Sequence, residues 1–156
     1  FDAKLGTVTS ETALENPLSA LVSVSYPTFA QPELSGVLVD SHFRQRSREG
    51  RLLAFLARFI SERDYSSVIG IGLDERVAVI LENDSLEVST QGQDGAWFYE
   101  LRGPVSLTPG TPLNLSGLRR IKLGTGSHVP WPLNFDSLDA EQMHVDDGVV
   151  KLGAPG

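Results

Sequence analysis

The chain reads as an α/β domain that passes into a β-rich tail, and three stretches carry that expectation. Gly36 releases Val37-Leu38-Val39, a short β-branched run that reads as a buried strand. Leu52, Phe55, Leu56, Phe59 and Ile60 then recur at three-to-four spacing, and Leu53 widens the stripe, so a helix is expected from about Ser47 to Ser61. Val68 to Ile71 follows as a second buried strand, and Val77 to Leu81 returns as another, in a hairpin-like or crossing connection.

Beyond Glu82 the helical spacing stops. Leu86–Val88, Ala96–Leu101, Val105–Leu107, Ile121–Leu123 and Val149–Leu152 are short strand candidates. They are separated by turn signals at Asn83-Asp84, Gln93-Asp94-Gly95, Pro109-Gly110 and Asp147-Gly148. The expected organisation is one domain over residues 1–156, with an α/β half over 1–82 and a β-rich tail over 83–156. No internal repeat or low-complexity tract interrupts it.

Ahead of the first strand, Asp2 to Pro32 is polar and irregular. Thr7 to Ser10 suits a short strand, and Ser10 to Leu18 a short helix with Ser10 as N-cap. Ala20 to Val24 fits either helix or strand. Pro17, Pro27 and Pro32 break the region into loops. The chain opens at Phe1 without Met or a signal sequence, so the expectation is a fragment of something longer, and its compartment stays open.

A length of 156 residues suffices for a real core. The net charge of −7 leaves no general basic surface for nucleic acid, and no apolar run is long enough to span a membrane. The absence of cysteine excludes disulfides, a thiol nucleophile and thiolate metal sites. No His, Asp or Glu cluster has zinc or calcium spacing, and no phosphate-binding glycine loop is present, so neither metal nor cofactor is expected.

The chemistry concentrates where the first strand ends. Asp40, Ser41 and His42 close it, and Arg44, Arg46, Arg48 and Arg51 follow within ten residues. Strand ends that carry Asp and His ahead of a helix commonly open into a crevice. Cations at a helix N-terminus oppose the macrodipole, so an acidic ligand or Asp40 should compensate them. The plainer reading has these arginines in ion pairs with Asp40 and Glu49. His42 is the candidate base, and Asp74 and Glu75, ending the second strand, are the candidate acids. His128 and His144 have no partner motif and read as surface residues. Ser41 sits next to His42, on the opposite strand face, so these two cannot form a relay. Gly124-Thr125-Gly126-Ser127-His128 lacks the strand-turn-helix context of a nucleophile elbow. Trp97, Phe98 and Tyr99 suit either a sugar-binding aromatic surface or a strand with Trp97 and Tyr99 on one face and Phe98 on the other.

Asp40-x-His42-Phe43, with Arg46, Arg48 and Arg51 and a closing Gly50-Arg51-Leu52-Leu53, resembles the cyanophycinase branch of the S51 serine peptidases, to which dipeptidase E also belongs. Gly70-Ile71-Gly72-Leu73-Asp74-Glu75 is similar to a second segment of that family. The resemblance covers Asp2 to about Leu81 well and the rest loosely. It implies a class I glutamine-amidotransferase-like three-layer α/β fold, of which this chain is the C-terminal portion. It implies hydrolysis of peptide or isopeptide bonds at aspartate through a seryl acyl-enzyme, with His42 as base and Glu75 as its orienting acid. Asp40, Ser41, Arg46, Arg48 and Arg51 would shape a pocket for an acidic peptide. Ser41 stands where the cyanophycinase motif commonly carries Gln, which removes an amide contact and puts cyanophycin itself in question. The nucleophilic serine would lie upstream of Phe1, leaving the fragment inactive alone. Its partners would be the remaining N-terminal part of the protein and, in a homodimer, a second copy. The alternatives are a non-catalytic relative of the same fold and a β-rich carbohydrate-binding module using the Trp97–Tyr99 face.

Overall fold

The structure is a computed structural model that describes residues 7–24, 32–63, 65–92 and 94–155. It is α/β, with a mixed sheet and few helices. Among the described residues the main sheet has six strands: β1 (Val37–Ser41), β2 (Ser67–Leu73), β5 (Ala96–Arg102), β6 (Leu115–Leu123), β8 (Glu141–Asp146) and β9 (Val149–Leu152), in that spatial order. β1 and β2 are parallel, joined through helix α2 (Glu49–Arg63); every other pair is antiparallel. A second sheet of three strands, β3 (Val77–Glu82), β4 (Ser85–Thr90) and β7 (His128–Pro130), is antiparallel throughout.

Strand alternation sorts the apolar side chains onto the two faces of the main sheet. Val68, Tyr99, Leu101, Leu118 and Met143 face α2 and the short helix α1 (Ser10–Glu15), and share one core with Leu52, Leu53, Leu56 and Phe59. Ile71, Ala96, Phe98 and Leu123 face the other way and share a core with Leu86 and Val88 of the small sheet, capped by Trp131, Leu133 and Phe135. The main sheet runs without a break from strands before residue 82 to strands after it.

Several local expectations are corrected. Thr9, not Ser10, is the N-cap of α1, accepting from the Thr12 amide at 3.2 Å, so residues 7–9 form no strand. Ser10 instead accepts from the Arg51 amide at 3.1 Å, so its hydroxyl serves the first turn of α2. Ala20 to Val24 is neither helix nor strand. Arg58 of α2 donates to the Val22 carbonyl at 2.7 Å and the Pro17 carbonyl at 3.2 Å, which satisfies that irregular backbone. Pro27 lies outside the described residues, as does Gln93 of its turn signal. β1 is not a buried strand: among the described residues it pairs only with β2, and Val39 is 58% exposed. β2 and β3 form no hairpin, because they belong to different sheets. Val105–Leu107 is irregular, packed against the helix-side core behind Pro104.

Asn83-Asp84 and Asp147-Gly148 both turn with positive φ at both residues, closing the two-residue hairpins β3–β4 and β8–β9. Two glycines of β2 do different work. Both face the helix side, where Gly70 lies under Leu52 and Leu56, and Gly72 lies under the ring of Phe43. A Cβ at Gly72 would sit 2.5 Å from that ring, whereas one at Gly70 would meet the end of Leu56 at 2.9 Å. Gly72→Ala is therefore expected to destabilise by about 1–3 kcal/mol, and by more than Gly70→Ala, since Leu56 can turn aside and the Phe43 ring cannot. Chemical denaturation of both variants checks the order.

Candidate functional site

At the C-terminal end of β1 the chain turns sharply, and His42 adopts φ of 49°, a left-handed conformation uncommon outside glycine. Four consecutive residues then bind the end of β2. His42 Nδ1 lies 3.0 Å from Glu75 Oε1. The Phe43 amide donates to the Leu73 carbonyl at 3.0 Å. Arg44 donates to Asp74 twice, from its amide at 3.0 Å and from Nε at 2.6 Å. The Glu75 amide donates to Gln45 Oε1 at 3.3 Å. Phe43 is 2% exposed, over Gly72 and 5.8 Å from the Tyr99 ring, so it anchors the turn in the core.

This lattice separates the two acids. Asp74 has a fully buried side chain and neutralises Arg44, whose guanidinium is held above its ordinary pKa chiefly by that hydrogen bond. Glu75 faces His42 instead, and both side chains are about half exposed, 51% and 45%. An ionised carboxylate only accepts, so Glu75 places the imidazole proton on Nδ1 and leaves the Nε2 lone pair free. Among the described residues no hydroxyl is hydrogen-bonded to the ring.

The arginines divide. Asp40, 7% exposed, takes Arg51 through both carboxylate oxygens and Arg48 at 3.1 Å. Arg48 also donates to the carbonyl of Ser41. One carboxylate thus serves two guanidiniums, and Arg48 is held below its ordinary pKa by burial and then by the neighbouring charges of Arg51 and Arg46. Arg46 is exposed, and among the described residues it has no ion-pair partner. Ser41 is exposed at the strand end. Glu49 serves neither Arg48 nor Arg51: it accepts from Tyr99 Oη at 2.7 Å and pairs with Arg120 at 2.9 Å. Burial, and then Glu49, push the Tyr99 phenol above its ordinary range, so it stays a donor.

Other candidates sit elsewhere. His128 is 62% exposed on β7, and His144 on β8 faces the Gly153 carbonyl at 2.9 Å. Ser127 lies in the β6–β7 turn against β4. Phe98 and Tyr99 are almost wholly buried, on opposite faces of β5, and Trp97 lies under Arg120. That removes the aromatic surface a carbohydrate-binding reading needs. Sequence reasoning missed Arg44, Gln45 and Phe43 as the residues that hold His42. Their one signal was the strict adjacency of four residues after a strand end, facing an Asp-Glu pair.

Among known proteins, the chain is 35% identical over 118 residues to a protein described as cyanophycinase from Geminocystis herdmanii (strain PCC 6308). The match takes in 72% of this chain and 39% of that protein, so the chain spans well under half the length of the relative. The relationship is cyanophycinase-like at this modest identity. No family model matches the chain, and no solved structure matches it.

Removing the charge of Asp40 would leave two mostly buried guanidiniums uncompensated. Asp40→Asn is expected to destabilise by about 3–5 kcal/mol. Chemical denaturation near neutral pH reads it, and a loss under about 1 kcal/mol would contradict the pairing.

Proposed function

We propose that the chain supplies the base and orienting acid of a serine-type hydrolase of the cyanophycinase kind, acting on peptide or isopeptide bonds at aspartate. The observation that carries this reading is the His42–Glu75 pair: Nδ1 is bound to a carboxylate at 3.0 Å while the ring stays half exposed at a strand end. That is the arrangement a general base needs. The similarity to a cyanophycinase supports the same reading.

In the reaction, His42 Nε2 takes the proton of a serine hydroxyl as its oxygen attacks the scissile carbonyl. The same proton then passes to the leaving amine, and an acyl-enzyme remains. In the second half His42 takes a proton from water, whose oxygen attacks the ester, and returns it to the serine. Glu75 fixes the tautomer and stabilises the imidazolium through both halves. In this reading a segment upstream of Phe1 supplies the serine, in a fold of the class I glutamine-amidotransferase kind.

Arg46 is the group we assign to a substrate carboxylate, because its charge is exposed and has no partner among the described residues. Arg48 and Arg51 are engaged with Asp40, so in this reading they position the strand end and add positive field. Ser41 borders the same opening. The substrate is an acidic peptide.

The test uses the full-length protein, assayed on cyanophycin and on aspartyl dipeptides. His42→Ala is expected to lower kcat by at least about 10³-fold, and Glu75→Gln by on the order of 10³–10⁴. Arg46→Gln is expected to raise KM on acidic substrates with kcat nearly unchanged. Full activity in His42→Ala would end the mechanism. A protein that binds acidic peptides without cleaving them would instead be a non-catalytic relative.

A further inference from the structure

Two carboxylates stand side by side at the end of β2, and only Glu75 meets His42. Both acids carry the same charge, so the choice between them is made by what else binds them. Arg44 commits Asp74, donating to it from the amide at 3.0 Å and from Nε at 2.6 Å, and the Asp74 side chain is wholly buried. The same guanidinium reaches further. Its Nη2 donates to Asp94 Oδ1 at 2.8 Å. Asp94 lies in the connection between β4 of the small sheet and β5 of the main sheet, with its side chain 24% exposed. That connection is itself held close to β6: a Cβ at Gly95 would lie 2.8 Å from the Leu123 carbonyl oxygen.

Backbone strain gathers at the same place. Apart from the two hairpin turns, the described non-glycine residues with positive φ are His42 (49°), Ser47 (48°) and Arg76 (58°). His42 and Ser47 bracket the turn, and Arg76 directly follows Glu75. Such conformations persist only where the surrounding bonds over-determine them. One of those bonds runs from the Arg44 amide to Asp74, and it lasts only while Asp74 stays in place. A buried carboxylate stripped of its counter-charge takes a proton or turns toward water. The amide then loses a good acceptor, the turn relaxes, and the ring is no longer presented to Glu75.

We propose that Arg44 is a positioning residue for His42 and that Asp94 holds Arg44 in place, so that the connection between the two sheets sets the geometry of the His42–Glu75 pair. Arg44 acts through Asp74, and Asp94 acts through Arg44. The proposal rests on the reading of His42 and Glu75 as base and orienting acid.

The test uses the full-length protein and two readouts: nitrogen–proton NMR of the His42 ring at a pH where the imidazole is neutral, which needs no turnover, and kinetics on an aspartyl dipeptide. Arg44→Gln is expected to lower kcat by about 10–100-fold with KM changed less than about twofold. Asp94→Asn is expected to lower kcat by at least about twofold. In both, the fraction of His42 in the Nδ1–H form should fall, more in Arg44→Gln. Arg44→Lys, which keeps the charge without the fork, should recover part of each effect. Arg119→Gln is the control: it loses ion pairs to Glu100 and Asp136, and should lower Tm while leaving the ring unmoved. If Arg44→Gln does not fold, Asp94→Asn decides. A fall in kcat with the tautomer unmoved, or no change in either readout, would overturn the proposal. Glu75→Ala keeps the two readings apart. If it leaves the tautomer unmoved, the base-and-acid reading fails; if it abolishes the Nδ1–H preference while the Arg44 and Asp94 variants do not, only the positioning role fails.

Discussion

The structure depends on the way the turn after β1 is fastened to the end of β2. Residues 42 to 45 each make a bond to residues 73 to 75 or accept one from them, and a single aromatic ring nails the turn to the core. A neutral hydrogen bond of this kind is worth about 1 kcal/mol net, and one to a charged group such as Asp74 about 1.5–3 kcal/mol. Their value lies in geometry. Together they hold His42 in a left-handed backbone conformation and set its ring beside one carboxylate of an adjacent acidic pair. Asp74 is drawn inward by Arg44, which leaves Glu75 to face the imidazole. The residue that decides which acid meets the histidine is thus an arginine, acting from the neighbouring position.

Charge at the start of α2 follows the same logic. Four arginines stand at or before the positive end of a helix, where the macrodipole disfavours them. Asp40 answers two and Asp74 a third, each from a buried position at a strand end. Arg46 alone projects without a partner among the described residues, and Arg48 is only half answered. Positive charge that the fold does not neutralise is where an acidic ligand gains most. The surplus is therefore more informative than the cluster as a whole.

Much of this is legible in the sequence. The stripe from Leu52 to Ile60 announces α2, and its observed limits, Glu49–Arg63, differ from the expected ones by two residues at each end. Alternation along residues 97 to 99 puts Trp97 and Tyr99 together and Phe98 opposite, as found. Two-residue Asn/Asp turns mark both tight hairpins. What fails to show is structure whose signal is not apolar. β6 is visible only as Ile121–Leu123, since its arginines and lysine break the pattern; in the fold they pair with Glu100, Glu49 and Glu141 or lie over Trp97. β8 escapes notice because only Met143 and Val145 point inward. The β-branched run of β1 suggests burial, but composition cannot say whether a strand has neighbours on both sides; among the described residues β1 is an edge strand, and Val39 is exposed. His42 and Glu75 stand out by motif; their mutual distance depends on a lattice of bonds that no spacing rule encodes.

The central claim is that Glu75 fixes the proton of His42 on Nδ1. Long-range nitrogen–proton NMR of the two ring nitrogens at a pH where the imidazole is neutral reports the tautomer directly. The account predicts the Nδ1–H form in the unaltered protein, and loss of that preference in Glu75→Ala. A ring found in the Nε2–H form, or one whose tautomer is indifferent to Glu75, would contradict it.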